Sequence, residues 1–332
     1  MPTSDTVSPK TLQEAILHYS DEQHCIDALA AMRWPEGKPI CPACEHTDLW
    51  WLKAQKRWKC KECWKQFSVK INTVFEDSRL PLTKWMLALW MITNCKNGVS
   101  SWELHRAIGV TQKSAWFMLH RLRLGMQEKD GGGKLGGPGV KVEVDESFIG
   151  GKARNMHKAR RARMRETGKW AAKTVVMGIL ERDGRVRTQV LGADRKGPTM
   201  HAVIRENVNV GSWLMTDEFQ AYKGLEGDYA HLVINHLERY VQGNVHTQGI
   251  ENFWSLLKRG LNGTYVSVEP FHLFRYVDEQ AFRFNSRLDA SGKKISDGER
   301  FRMALSKVSG KHITYSDLTG KERLPVVAAE PF

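Results

Sequence analysis

The stretch VKVEVDESFIGG, residues Val140–Gly151, decides how the second half of this chain folds. Its valines and isoleucine favour a strand, and the glycine pair ends it. Asp145 nevertheless sits inside the run with apolar residues on both sides. A carboxylate within a buried strand costs free energy unless it is paired or holds a metal. Two similar runs follow. KTVVMGILERDGRVRTQVLG (Lys173–Gly192) carries Asp183-Gly184 as the turn of a hairpin, and SWLMTDEF (Ser212–Phe219) places a second acid, Asp217, after an apolar run. Helical spacing covers residues 198–207, 249–261 and 269–287. A hairpin, a further strand and then helices predict an α/β domain over residues 140–290.

The segment IENFWSLLK (Ile250–Lys258) adds a third acid, Glu251, with a cation seven residues on at Lys258. Two helical turns bring both to one face, while Phe253, Trp254 and Leu257 turn inward. Three carboxylates from separate elements, Asp145, Asp217 and Glu251, are able to hold two divalent cations about 3.5–4 Å apart, an arrangement suited to phosphodiester displacement. Hard oxygen ligands favour Mg2+ or Mn2+ over zinc there. A solvated Glu and Lys on an ordinary surface helix is the plainer alternative.

The front of the chain carries different chemistry. CPAC (Cys41–Cys44) and CKEC (Cys60–Cys63) form C-x2-C-x15-C-x2-C, two knuckles whose four thiolates complete the tetrahedral shell of one structural Zn2+, with redox or iron–sulfur use as the alternatives. Trp50, Trp51, Trp58, Trp64 and Phe67 supply apolar mass to a ribbon over residues 39–75, and Lys53, Lys56, Arg57, Lys59, Lys61 and Lys65 make it basic. A helical lead-in over residues 1–38 precedes it, with Cys25 as a buried small hydrophobe.

Residues 80–128 read as a helix-turn-helix. Ser100 and Glu103 form a capping box, Gly109 turns the chain, and Thr111 caps a second helix. Its apolar stripe is Ala115, Met118, Leu119 and Leu122. That leaves Gln112, Lys113, Trp116, His120 and Arg123 on the face a recognition helix presents to the major groove, with a plain helical hairpin as the alternative. Cys95 falls in a helical pattern and is expected in the core. KDGGGKLGGPG, residues 129–139, reads as a flexible Gly-rich linker.

At 332 residues, with a net charge of +13 and a pI near 9.5, the chain suits two or three units and a polyanionic partner. KARNMHKARRARMRETGKWAAK (Lys152–Lys173) holds nine Lys/Arg against one Glu directly after the first acidic strand. Lys158, Arg160, Arg161 and Arg163 are its expected phosphate contacts. FHLFRYVDEQAFRFNSR (Phe271–Arg287) is aromatic at helical spacing and is assigned to core packing. Residues 291–332 form a C-terminal tail with one amphipathic helix near Asp297–Leu305. The opening MPTSDTVSPK lacks the apolar core of a signal peptide, and WMLALWMI (Trp85–Ile92) is far shorter than the ~20 residues that span a bilayer. A cytoplasmic protein with no membrane segment and reduced thiols is the expectation.

VEVDESFIGG, MTDEFQAYKGL and VHTQGIENFWSLLKRGLNGTYVSVEPFHLFRYVDEQAFRFNSR resemble the zinc-ribbon DDE transposases of the insertion-sequence family fifteen ninety-five. With RWPEGKPICPAC upstream, the likeness runs from residue 20 to residue 318. It implies a ribonuclease-H-like catalytic fold that cuts and rejoins DNA at the ends of its element. It also implies Asp145, Asp217 and Glu251 as ligands of two Mg2+ or Mn2+, and Lys258 as the basic residue after the third acid. Some members carry Asn at the third position. Glu251 matches the acidic form, whereas Gln248 stands where the pattern has Asn. Under this reading Lys258 and Arg259 meet phosphate beside the scissile bond, and His236 and His246 flank the approach to Glu251. Double-stranded DNA, both element end and target, is then the partner on which the protein assembles as a homo-oligomer. Two other readings are a transposase-derived DNA-binding regulator with a dead core, and a metal-dependent nuclease that hydrolyses without joining.

Overall fold

The computed structural model describes residues 9–128, 133–150, 173–234 and 246–320, together with residues 158, 159, 162 and 166. It divides into two units. The first combines the chain up to Cys95 with Val99–Met126 and the chain from Ile295 onward; the second comprises Lys96–Gly98 and Gln127–Lys294.

In the first unit, α1 (Leu12–His18) and α2 (Glu22–Arg33) precede a three-stranded antiparallel ribbon of β1 (Leu49–Leu52), β2 (Arg57–Cys60) and β3 (Gln66–Phe67). The ribbon is fastened to α2. Lys56 pairs with Glu22 at 2.6 Å, Arg33 donates to the Val69 carbonyl at 2.6 Å, and Trp34 meets Trp58 edge-on. Trp51 and Phe67 also pack on Trp58, but Trp50 and Trp64 remain 42% and 61% exposed, contrary to their expected role as packing mass.

The apolar run at Trp85–Ile92 lies within α3 (Leu82–Asn94), which packs against α4 (Ser101–Ile108) and α5 (Gln112–Met126). The Ser100/Glu103 capping box forms, Gly109 takes a left-handed conformation at φ 62°, and the Thr111 hydroxyl accepts from the Ser114 N–H. Cys25 is buried as expected; Cys95 is half-buried and caps the end of α3 instead of filling a core. The residues read as a tail also differ from expectation. The helix Asp297–Ser306 packs on α3 because Phe301 inserts between Tyr19 and Trp90, so the chain returns to complete the first unit.

The second unit is a mixed five-stranded sheet with helices on both faces, the ribonuclease-H-like α/β arrangement. Its strands are β4 (Lys141–Ile149), β5 (Thr174–Glu181), β6 (Val186–Gly192), β7 (Trp213–Asp217) and β8 (Ala230–Ile234), in the spatial order β6-β5-β4-β7-β8. The hairpin of β5 and β6 turns at Asp183, whose φ of 60° suits an aspartate. β4 runs antiparallel to β5 and parallel to β7, and β7 runs parallel to β8.

Strand alternation sorts the core into two layers. Val142, Val144, Met177, Ile179 and Leu214 pack on α6 (Gly197–Asn207) through Met200 and Ile204. Val176, Leu180 and Val186 pack on α7 (Gln248–Arg259) and α8 (Leu273–Asn285) through residues that include Ile250, Phe253, Trp254 and Phe284. The aromatic segment read as core is thus largely α8, though Phe271 just before the helix is exposed.

The described part of the Gly-rich segment is no free linker. Leu135 is buried and bridges to Val208, while the Gly136 and Gly137 N–H groups donate to Glu181 and Ser212. Its glycines allow tight turns against the strand ends, and residues 129–132 lie outside the described residues. Among the described residues no helix is long and apolar enough to cross a membrane.

Candidate active site

The acids meet where β4 runs past its pairing with β7. The parallel register sets Lys141 beside Trp213 and Glu143 beside Met215. Continued two residues, it sets Asp145 beside Asp217, and the pleat sends both carboxylates to one face, the face covered by α7. The same pleat directs Glu146 toward the layer of α6. Even so, one ligand oxygen from each of Asp145, Glu146 and Asp217 lies within 4.8 Å of the others.

Each acid is held by different means. The Trp254 indole N–H donates to Asp145 Oδ2 at 3.0 Å, and Asp217 Oδ1 accepts the Phe219 N–H at 3.0 Å, fixing the chain as it leaves β7. Arg195 is stacked between the rings of Phe148 and Phe219, with its guanidinium 4.0 Å from Glu146 Oε1. That oxygen has no hydrogen-bond partner among the described residues. Burial pushes the Asp145 carboxyl up to about 6, and the charges of Asp217 and Glu251 add to the shift. Burial likewise pushes Glu146 up to about 7, with Asp217 contributing. Buried, mutually repelling oxygens, one of them unsatisfied, suit a small divalent cation, which would relieve both penalties.

Glu251 lies one turn before Trp254 on α7, close enough for its charge to act on Asp145, yet it is outside the cluster. It is exposed, and its Oε1 accepts from the Thr247 hydroxyl at 2.9 Å. The structure therefore joins two of the three expected acids directly, sets the third on the adjoining helix, and adds Glu146. Sequence reasoning passed over Glu146 because neighbouring strand residues ordinarily face apart. It also missed Trp254 as a partner of Asp145, although Gly178 offered a signal. Gly178 sits opposite Asp145, and a Cβ there would stand 2.6 Å from both Ile250 and Trp254, so a glycine is what lets α7 settle onto the sheet.

Residues 134–285 match the family described as the ISXO2-like transposase domain, and residues 20–66 match the transposase zinc-ribbon domain. The chain belongs to this transposase family. An uncharacterized protein in transposable element ISH50 of Halobacterium salinarum is 27% identical over 256 residues, covering 74% of this chain and 84% of that protein. An uncharacterized transposase-like protein of Haemophilus influenzae is 33% identical over 89 residues, covering 26% of this chain and 72% of that protein. A chain in the cryoEM structure of the simian T-cell lymphotropic virus intasome with PP2A regulatory subunit B56 gamma aligns at 16% identity. It covers 73% of this chain and 75% of that one with a TM-score of 0.30, too loose a likeness to carry an argument.

The zinc-ribbon match begins within what reads as the lead-in, in keeping with the fastening of α2 to the ribbon in this chain. The Sγ atoms of Cys41 and Cys63 lie 3.6 Å apart, and those of Cys44 and Cys60 lie 3.5 Å apart. A tetrahedral Zn2+ with bonds of about 2.3 Å implies separations of about 3.8 Å, so the four thiols fit one zinc. Both knuckles turn alike: the residue after each second cysteine, Glu45 or Trp64, has φ near 60°.

The expected DNA-facing residues divide. On α5, Lys113 is exposed and Gln112 half-exposed, but Arg123 is 1% exposed and His120 is buried, so neither presents itself to a groove. The expected stripe of Ala115, Met118, Leu119 and Leu122 is buried, but the packed side of α5 extends to His120, Arg121 and Arg123, so only the first turns keep the exposed polar face. Lys258 and Arg259 are exposed in the last turn of α7, and Lys158 is exposed. Arg160, Arg161, Arg163 and His236 lie outside the described residues. His246 faces Glu143 and Arg182.

Proposed function

We propose that this family member is a DNA transposase that binds its element's terminal repeats, cuts the phosphodiester at the element end and joins the freed strand to target DNA. The observation that carries the reading is the cluster of Asp145, Glu146 and Asp217, with Glu251 on the helix beside it. These are anionic oxygen donors of the kind that hold Mg2+ or Mn2+. When bound, two such cations would supply charge stabilisation at the entering and leaving oxygens of an in-line displacement.

The protein's own residues supply the rest. Asp145 and Asp217 hold one face of the site from the sheet, and Trp254 keeps the Asp145 carboxylate oriented. Glu251 completes the ligand set by turning from Thr247 toward Asp145. Lys258 and Arg259 bind phosphate along the same helix and fix the scissile bond, a positioning effect that needs no covalent enzyme intermediate. The ribbon and the start of α5, with Gln112 and Lys113, bind the element end as duplex, and the basic segment carrying Lys158 follows the backbone. Assembly as a homo-oligomer on DNA lets one reaction use two ends.

The test incubates purified protein with labelled duplex element ends, a target plasmid and Mg2+ or Mn2+. Joined products are expected. Nicks without joining would reduce the reading to a nuclease, and binding without chemistry would reduce it to a regulator. Single replacement of Asp145, Asp217 or Glu251 by Ala is expected to abolish chemistry and spare binding.

A further inference from the structure

Glu143 stands two residues before Asp145 on β4, on the same face of the strand, yet its side chain is 1% exposed. A buried carboxylate needs partners, and Glu143 takes them from Arg182, just after β5, and from the stretch that opens α7. Its Oε2 accepts the backbone N–H of Ile250, the third residue of α7, at 3.0 Å. Its Oε1 accepts from the Arg182 guanidinium at 3.0 and 3.2 Å, and His246 Nδ1 lies 3.5 Å away. Arg182 in turn donates to the His246 carbonyl at 2.9 Å, just ahead of the helix.

The helix needs this help. The first turn of any helix leaves backbone N–H groups without partners inside it. Thr247, at the cap position, makes no side-chain cap and donates its hydroxyl to Glu251. Glu143 therefore supplies the missing acceptor across 107 residues of sequence, with its charge at the positive end of the helix dipole. Gly249 allows the approach. A Cβ at that position would lie 2.9 Å from Glu143 Oε2 and 2.5 Å from Leu180 Cδ2.

We infer that Glu143 is a positioning residue for the divalent-cation site: its carboxylate clamps the first turn of α7 to β4 and so holds Glu251 in register with Asp145. The inference rests on the reading of Glu251 as the third metal-binding carboxylate. Ile250 and Glu251 are adjacent, so the anchored N–H and the carboxylate share one turn. Asp145 and Glu143 are anchored in one strand. A shift of the helix start moves one ligand relative to the other without unfolding either element.

The experiment measures Mn2+ binding to the full chain by electron paramagnetic resonance of the free ion, with nicking of a labelled element end as a second readout. Four variants are compared: Glu143→Leu, Glu143→Gln, Gly249→Ala and, as a stability control in the opposite core layer, Ile204→Val. Glu143→Leu is expected to weaken Mn2+ binding by about tenfold or more, the usual effect of removing a group that orients a ligand. Glu143→Gln keeps an oxygen for the Ile250 N–H and recovers most of that loss. Gly249→Ala weakens binding in the same direction even though alanine is the better helix former. Ile204→Val lowers the melting temperature and leaves Mn2+ binding unchanged.

Wild-type Mn2+ binding in folded Glu143→Leu, or in Gly249→Ala, would overturn the inference. So would a Glu143→Gln protein as impaired as Glu143→Leu. If the Leu variant fails to fold, Gly249→Ala decides. Glu251→Ala separates the two levels of the argument: unimpaired Mn2+ binding and nicking there would remove Glu251 from the site, whereas an impaired Glu251→Ala beside an unaffected Gly249→Ala would remove the clamp alone.

Discussion

Replacing Gly178 by Ala tests whether α7 rests on the sheet beside Asp145. The added Cβ would stand 2.6 Å from Ile250 Cδ1 and 2.6 Å from Trp254 Cζ2, whereas carbon atoms in contact keep about 3.5–4.0 Å apart. Trp254 cannot swing aside freely, because its indole N–H is bound to Asp145 at 3.0 Å. Overpacking of this kind costs about 1–3 kcal/mol. Alanine also narrows the unfolded ensemble, which offsets about 0.4–1 kcal/mol. A net loss of about 1–2 kcal/mol lowers the melting temperature of a unit this size by about 2–8 °C. Nicking activity should fall further than the folded fraction, since the strain is relieved by moving the tryptophan that holds the Asp145 carboxylate. Ile250→Val removes one of the two clashing atoms and alone costs about 0.5–1.5 kcal/mol. In the Gly178→Ala/Ile250→Val double variant the combined loss should be smaller than the sum by about 0.5 kcal/mol or more. Thermal melts followed by circular dichroism on the four proteins supply the cycle. A Gly178→Ala protein that melts with wild type, or a strictly additive double variant, would refute the packing argument.

The remaining expectations concern ions and DNA. One Zn2+ per chain should be found by elemental analysis, and Cys60→Ala should lose it together with the cooperative melting of the ribbon; retention of the metal would exclude the four-thiol site. Asp145 and Glu146 have folded-state pKa values raised by burial to about 6 and about 7, so the native protein binds more protons than the unfolded chain as pH falls toward them. These two acids therefore lower metal-free stability as pH rises from about 4 to about 7, and cation binding, which needs their charged forms, cancels that loss. The rise in melting temperature on adding Mn2+ should accordingly grow between pH 5 and pH 8, and a pH-independent rise would place the ion elsewhere. Lys113→Ala should weaken duplex binding at an unchanged melting temperature. Arg123→Ala should do the opposite, because a buried Arg123 supports the helix; equal losses of DNA affinity in two well-folded proteins would return Arg123 to the recognition face. Lys258→Ala should reduce the slope of log affinity against log salt by about 1, and an unaltered slope would mean that it touches no phosphate.

Features carried by short-range patterns are legible in the amino-acid sequence alone. The cysteine spacing, the capping box at Ser100 and Glu103, the Asp183-Gly184 turn and the inward stripe of α7 each depend on residues a few positions apart, where sequence and geometry are tightly coupled. Asp145 and Asp217 are legible for another reason: an acid in an apolar strand is conspicuous. Sequence reasoning fails where long-range packing overrides the local pattern. Arg123 has the spacing of an exposed residue and is buried, the glycines after residue 132 resemble a linker and are pinned to strand ends, and Phe301 draws a supposed tail into the first unit.

The amino-acid sequence by itself determined the identity of the parts: a four-thiol ribbon, a pair of capped helices, and strands bearing misplaced acids beside a helix with Glu251 and Lys258. Which acids share a site was decided only by the tertiary structure. The parallel pairing of β4 with β7 aligns Asp145 with Asp217, and the seating of α7 on Gly178 brings Trp254 to Asp145. Glu143 joins a strand to a helix start 107 residues away. Such contacts depend on strand register and on the space a missing side chain leaves, and neither quantity is written into any local run of residues.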